Sequence, residues 1–239
     1  MAATVDGHLA APLVRPFTVA IMQPYFIPYA GYFRLFGASD LFVVYDCVQF
    51  PRRGWMHRNR LTDADGVERW LTLPLARMPR ATLICDTRFQ PNAAAILETQ
   101  LRRFPLVTRA PKSASGVLEA LREVGDTPVA YVERLLERVV KYLGLPWNTV
   151  RSSSLRLPDS LRGQERILEI CRRLGARRYV NAPGGRSLYQ RQAFTDAGIE
   201  LSFLSDYRGS SSSILTRIVL DDREDLARDI RATARNDGA

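Results

Sequence analysis

The chain has 239 residues, 46% of them hydrophobic, enough to bury a full core in one domain or a tight pair of subdomains. No apolar run approaches the roughly 18–20 residues that a membrane span requires, and three cysteines are too sparse and too odd in number for a disulfide framework, which suits reduced thiols in a cytoplasmic protein. The formal charge of +9 favours an anionic ligand, but all basic residues except Lys112 and Lys141 are arginines and no aromatic–basic recognition motif accompanies them, so a phosphorylated small molecule is expected and nucleic acid is not.

Residues 1–16 lack the basic start and long apolar stretch of a signal peptide and read as a disordered tail, leaving one domain over 17–235. Thr18 to Met22 and Asp40 to Val44 are apolar runs of strand length, joined by Tyr29 to Gly37, whose aromatic spacing is helical. That is a β-α-β unit and implies parallel strands. Asp63-Ala64-Asp65-Gly66 is a turn signal between Arg60-Leu61-Thr62 and Glu68 to Leu73, predicting a hairpin, and Thr82 to Phe89 reads as a further strand. Pro91-Asn92 opens a helix to about Phe104. Asp126-Thr127-Pro128 carries the cap and first-turn proline of another that runs to Leu143, so residues 90–145 form a helical insertion. A second β-α-β pattern follows: a helix after Gly163, a strand at Arg178-Tyr179-Val180, a helix from Ser187 to Ala197 and a strand from Ile199 to Leu204. Asp221 to Ala234 is a charged helix. The expected fold is α/β, with a Rossmann-like, mostly parallel sheet and flanking helices.

Two segments are too ordered for loops. Met22-Gln23-Pro24-Tyr25-Phe26-Ile27-Pro28-Tyr29-Ala30-Gly31-Tyr32 sets three tyrosines, two prolines and a glycine directly behind the first strand. Tyr45 to Arg60 then crowds Cys47, His57, Trp55, Asn59 and four arginines into sixteen positions. The pattern of a strand, M-Q-P-Y-F-x-P-Y-x-G-Y, an apolar strand ending Y-D-x-V-Q-F, and R-G-W-x-x-R-N-R resembles the WbqC-like proteins of bacteria. The likeness continues through Trp70 to Pro74, Gly163 to Arg166 and Asn181 to Tyr189, and spans most of residues 17–220. It implies a place in the making of surface polysaccharides or other secondary products, with a glycine or acyl transfer role suggested for some members.

The residues themselves suggest chemistry. Cys47 follows a parallel strand, where α/β ligand sites lie, and its arginine neighbours in sequence suit a thiol nucleophile. His57 is the single histidine outside the tail and is the candidate general base, with Asp46 or Asp86 to orient it. Arg53, Trp55, Arg58, Asn59 and Arg60 offer guanidinium forks, a flat apolar wall and an amide for substrate recognition. Asn181, Gly184, Gly185 and Tyr189 lie between a strand and a helix, where backbone amides form an anion or oxyanion nest. Gln23, Tyr25, Tyr29, Gly31 and Tyr32 complete the expected substrate site. The first β-α-β is similar in shape to that of nucleotidyltransferases, in which a small residue such as Gly31 admits a phosphate to the helix N-terminus. Two histidines, with His8 in the tail, and no C-x-x-C pair give no basis for a metal centre. The expectation is therefore acyl or aminoacyl transfer, or thioester or amide hydrolysis, through Cys47. The rivals are a nucleotide-dependent transferase without a covalent intermediate and a non-catalytic protein that binds a sugar nucleotide or carrier protein. No cofactor is required, a nucleotide is left open, and the partner is a small molecule, free, nucleotide-linked or carried on an acyl carrier protein.

Overall fold

A computed structural model describes residues 15–232; the tail before residue 15, with His8, and the end of the last predicted helix lie outside the described residues. Five parallel strands, β1 (Thr18–Met22), β2 (Leu41–Val44), β5 (Thr149–Arg151), β6 (Arg178–Asn181) and β7 (Glu200–Phe203), form one sheet in the order β5-β2-β1-β6-β7. The chain builds outward from β1 to β2 and β5, then returns across β1 to add β6 and β7. The strand order thus reverses between β1 and β6, and in open α/β sheets the ligand crevice lies outside the carboxyl ends of the strands at such a point.

Alternation along the strands divides the apolar residues between two faces. Ala20, Phe42, Val44 and Val180 face a large core shared with helices α1 (Ala30–Ala38), α5 (Pro128–Tyr142), α8 (Ile214–Leu220) and α9 (Arg223–Ala232). Val19, Ile21, Val43, Tyr179 and Leu201 face a smaller one with α6 (Gly163–Arg173) and α7 (Arg191–Asp196). The helix α5 begins where its sequence says: the Thr127 hydroxyl accepts from the Ala130 amide and Pro128 takes the first turn, where no amide donor is needed. At its other end Gly144 adopts φ +62°, the left-handed turn that a β-carbon disfavours.

The insertion between β2 and β5 holds the antiparallel hairpin β3 (Arg58–Thr62) and β4 (Glu68–Thr72), then α2 (Ala93–Leu101), α3 (Leu106–Arg109), α4 (Ser115–Arg122) and α5. Two expectations change, and two elements appear that the sequence pattern does not announce. Residues 82–89 form a single helical turn, Ile84–Asp86, pinned by isolated bridges Gln49↔Leu83 and Leu75↔Phe89, because the segment crosses the strand ends instead of extending along a neighbour. The helix expected over 187–197 is a 3-10 turn, Pro183–Leu188, followed by the short α7. Strand β5 and helix α8 carry weak local patterns, three and seven residues long, and emerge only through pairing with β2 and packing on the core.

Candidate functional site

Three cavities open at the carboxyl edge of the sheet and beside it. The first lies at the reversal point and has a volume of about 450 Å³; its lining includes Gln23, Tyr25, Tyr29, Tyr45, Asn181 and Tyr189. Its polar groups are phenols, amides and backbone, set beside Ile21, Met22, Leu35, Ile167 and Leu188, with no charged side chain. The Tyr32 hydroxyl donates to the Gln23 carbonyl at 2.9 Å and fixes the start of the loop. The Gln23 side-chain amide has no hydrogen-bond partner among the described residues and so remains available to a ligand. Asn181 donates from Nδ2 to the Tyr189 hydroxyl (3.3 Å), accepts at Oδ1 from the Ala182 amide (2.7 Å), and Tyr189 in turn meets the Tyr179 hydroxyl at 3.1 Å. Gly185 has to be glycine for this: a β-carbon there would stand 2.5 Å from Asn181 Nδ2. Burial raises the pKa of Tyr25, Tyr29, Tyr32, Tyr45 and Tyr189, so these phenols stay protonated and act as hydrogen-bond donors.

The second cavity, about 780 Å³, lies beyond the ends of β2 and β5 and is lined by Cys47, Cys85, Ser153, Arg156, Arg162 and Arg166 among others. Arg166, 7% exposed, donates from Nη1 to the Cys47 carbonyl at 2.5 Å and from Nε to the Leu161 carbonyl at 2.9 Å; Nη1 also stands 3.9 Å from Cys47 Sγ. Asp46, 1% exposed, accepts from the Ser152 hydroxyl (3.0 Å), the Ser153 amide (2.8 Å) and the Ser153 hydroxyl (2.7 Å), and so ties the end of β2 to the end of β5. Tyr45 is near both cavities. It lines the first, and its hydroxyl lies within electrostatic reach of Cys47, Arg166, Tyr189 and Arg162.

The third cavity, about 250 Å³, backs onto the first across Tyr25 and Tyr29, with Pro28, Trp55, Asn59, Arg60 and Ser211 completing it. Asn59 is saturated by the fold: Nδ2 donates to the Phe26 and Ile27 carbonyls (3.1 and 2.7 Å), and Oδ1 accepts from the Arg60 amide. Its work is to hold Ile27, a β-branched residue at φ +42°.

The segments expected to form a site are thus gathered, but with different partnerships. The structure does not pair Cys47 with His57: no hydrogen bond joins them among the described residues, and His57 lines none of the three cavities. The His57 ring lies 5.0 Å from that of Phe50, its carbonyl accepts from Leu73, and its buried Nδ1 has no partner among the described residues. Burial, reinforced by Arg58, lowers its pKa from 6.5 to about 4 and keeps it neutral. Asp46 is committed to Ser152 and Ser153 and does not orient an imidazole. The Gly185 amide donates to the Ala182 carbonyl, so it is not free for an oxyanion, and Gly184 and Gly185 line the crevice and not the thiol's cleft. The space above Gly31 is filled by rings: a β-carbon there would collide with Tyr29 Cε2 and lie 2.9 Å from Tyr207 Cγ, so its small size serves aromatic packing and not phosphate approach. Arg53 and Arg58 line none of the three cavities: Arg53 is exposed, and Arg58 covers the Trp70 ring at 4.3 Å. Cys85 is half-buried in the same cleft as Cys47, and burial pushes its thiol up to about 11.

A family model for the WbqC-like protein family matches residues 23–210. The chain belongs to that family. The match begins at Gln23 in the first cavity and runs past Arg166 and Tyr189, so it takes in the loops after β1, β2, β5 and β6 of this WbqC-like chain. The chain is also similar to "Uncharacterized protein Rv1507c" of Mycobacterium tuberculosis, 29% identical over 198 residues, which cover 80% of this chain and 83% of that protein. No solved structure matches it. Tyr45, Arg156, Arg162 and Ser153 were not singled out from the sequence of this WbqC-like protein. Arg162 and Arg166, four apart around a glycine that starts a helix, carried the one local signal for the arginine cleft.

Proposed function

We propose that this protein is a transferase whose ligand joins a neutral, hydroxyl-rich ring to a phosphate, the chemistry of a nucleotide-linked sugar. The observation that carries this reading is that Tyr45, in a crevice without charged side chains, lies within electrostatic reach of Arg162 and Arg166 in a neighbouring cleft lined by three arginines. Hydroxyls of the ring meet the free amide of Gln23 and the protonated phenols, and guanidinium groups of Arg156 and Arg162 take the phosphate. The position at the strand-order reversal supports the same reading.

The test is thermal stabilisation by UDP-glucose, UDP-N-acetylglucosamine, GDP-mannose, UDP and inorganic phosphate. Ligand at about a hundred times its dissociation constant contributes about 2.7 kcal/mol, and at about 2–4 °C per kcal/mol for a chain of this size the melting temperature rises by roughly 5–10 °C. Arg162→Ala and Tyr45→Phe reduce the shift. No stabilisation by any of the five refutes the reading.

A second reading is favoured by one specific observation, the half-buried Cys47 thiol facing the same cleft with Arg166 Nη1 at 3.9 Å. In it Cys47 sulfur attacks a thioester carbonyl, a new C–S bond forms, the donor C–S bond breaks, and the Cys47 proton leaves with the donor thiol. A hydroxyl or amine of the acceptor then takes the acyl group and returns its proton to Cys47. Tyr45, held protonated by burial, is a hydrogen-bond donor in this step and not its base. Incubation with acetyl-coenzyme A followed by peptide mass spectrometry detects an acyl group on Cys47 if the reading is right, and its absence with a panel of acyl-coenzyme A thioesters removes it.

A further inference from the structure

The third cavity, the smallest of the three, is absorbed by neither reading. A turn in an uncommon conformation builds its wall. Ile27, 1% exposed at φ +42°, is held there from three sides: Asn59 Nδ2 and the Ser213 hydroxyl both donate to its carbonyl, and the Ile214 amide donates to the Pro28 carbonyl. Left-handed backbone at a β-branched residue persists only where the surroundings over-determine it, and such sites cluster at ligand clamps. What the turn achieves is placement of Tyr25 and Tyr29 as a partition between this cavity and the crevice.

The opposite wall is Trp55, 40% exposed, braced by Trp70, 43% exposed, at a centroid distance of 5.7 Å. Trp70 has its ring covered by Arg58 and Arg60 at 4.3 and 5.5 Å, which leaves Trp55 as the uncovered platform. The lining then decides the ligand class. Arg60 is the one charged side chain of the lining, and it is shared with the exposed carboxylate of Glu68 at 3.1 Å; every other lining group is uncharged. Asn59 is buried and has Nδ2 donating to the Phe26 and Ile27 carbonyls and Oδ1 accepting from the Arg60 amide, so it has no N–H left to read the edge of a nucleobase. What remains is an indole face and the hydroxyls of Tyr25, Tyr29 and Ser211. An apolar platform opposite hydroxyls fits a ring with one face of C–H groups and a rim of hydroxyls. At about 250 Å³ the cavity is smaller than the roughly 300–1,000 Å³ of most ligand sites, which limits it to about one ring.

We propose that the cavity between Trp55 and the Tyr25–Tyr29 partition is a binding subsite for an uncharged saccharide ring, separate from the crevice behind it. If the crevice holds the donor of a transfer reaction, as proposed above, this subsite holds the acceptor; its binding of a saccharide does not depend on that role. The test uses phosphate-free probes: the methyl α-pyranosides of glucose, galactose, mannose and N-acetylglucosamine, with uridine and adenosine as flat-ring comparisons. Saturation-transfer NMR and quenching of tryptophan emission report binding. At least one glycoside binds, with saturation strongest on the C–H protons of one ring face; Trp55→Ala weakens it at least tenfold, Trp55→Phe retains most of it, and Tyr45→Phe in the crevice leaves it unchanged. Saturating UDP-glucose does not displace the glycoside. The inference is overturned if no glycoside binds, if the nucleosides bind in preference, if Trp55→Ala binds as the wild type does, or if UDP-glucose competes. Absence of nucleotide-sugar binding with glycoside binding intact would remove the donor reading alone.

Discussion

Gly31 and Gly116 provide a pair of substitutions with the same chemistry and opposite expected signs. In Gly31→Ala the new β-carbon meets Tyr29 Cε2 well inside van der Waals distance and Tyr207 Cγ and Cδ1 at 2.9 and 3.0 Å. These rings have little freedom to yield. They pack on each other at 5.8 Å, and the Tyr207 hydroxyl is held by Asp229 (2.9 Å) and Arg217 (3.0 Å). Overpacking of this kind costs about 1–3 kcal/mol, and the helix preference of alanine over glycine returns at most about 1 kcal/mol, less at the second residue of α1. With about 0.5 kcal/mol returned, the net loss is about 0.5–2.5 kcal/mol, or roughly 1–10 °C in melting temperature. Gly116 lies in α4 with helical handedness and nothing within 4 Å of the added carbon. Gly116→Ala therefore gains about 0.4–1 kcal/mol by restricting the unfolded chain and raises the melting temperature. Circular dichroism melts and urea titrations of the two variants and the wild type decide the matter. If Gly31→Ala melts at or above the wild type, the rings do not occupy that space and the case for aromatic packing over phosphate approach at α1 fails.

Three further outcomes follow from the geometry. Asp46→Ala strands the hydroxyls of Ser152 and Ser153 and the Ser153 amide at the junction of β2 and β5; it lowers the free energy of unfolding by about 1.5–3 kcal/mol in urea titrations, and a change under 0.5 kcal/mol would refute the anchoring role. His57 has a folded pKa of about 4 against an ordinary 6.5, so above pH 6.5 both folded and unfolded imidazoles are neutral and the full stability is present. As pH falls from 6.5 to 4 only the unfolded chain takes up the proton, and stability declines across that window; a difference between wild type and His57→Gln that does not vary from pH 7 to pH 4 contradicts the burial argument. Iodoacetamide at neutral pH labels Cys47 ahead of Cys85 and Cys171, whose thiols burial pushes up to about 11 and about 12; peptide mass spectrometry showing Cys171 labelled first would mean the small core around α6 opens readily.

The sequence by itself determined the elements whose signals are local. The first β-α-β, the hairpin around Gly66 and the capped helix α5 are legible because alternation, helical spacing, Thr127, Pro128 and Gly144 act over a few residues. Sequence also separated the loop from Gln23 to Tyr32 and the segment from Cys47 to Arg60 as more than connectors. Tertiary structure alone decided what those residues do, because their partners are remote in sequence. Cys47 meets Arg166, 119 residues away, and Asp46 meets Ser152, 106 away. His57, ten residues from Cys47, stands just before β3, and its ring settles on Phe50. Asn59 reads as a recognition amide in the sequence but is consumed by the carbonyls of Phe26 and Ile27, a demand created only when the turn after β1 reaches the hairpin. The strand β5 has no strong pattern of its own and exists because β2 offers it an edge. Which residues share a cavity depends on strand order, and the order β5-β2-β1-β6-β7 is set by burial of both sheet faces and not by any local code.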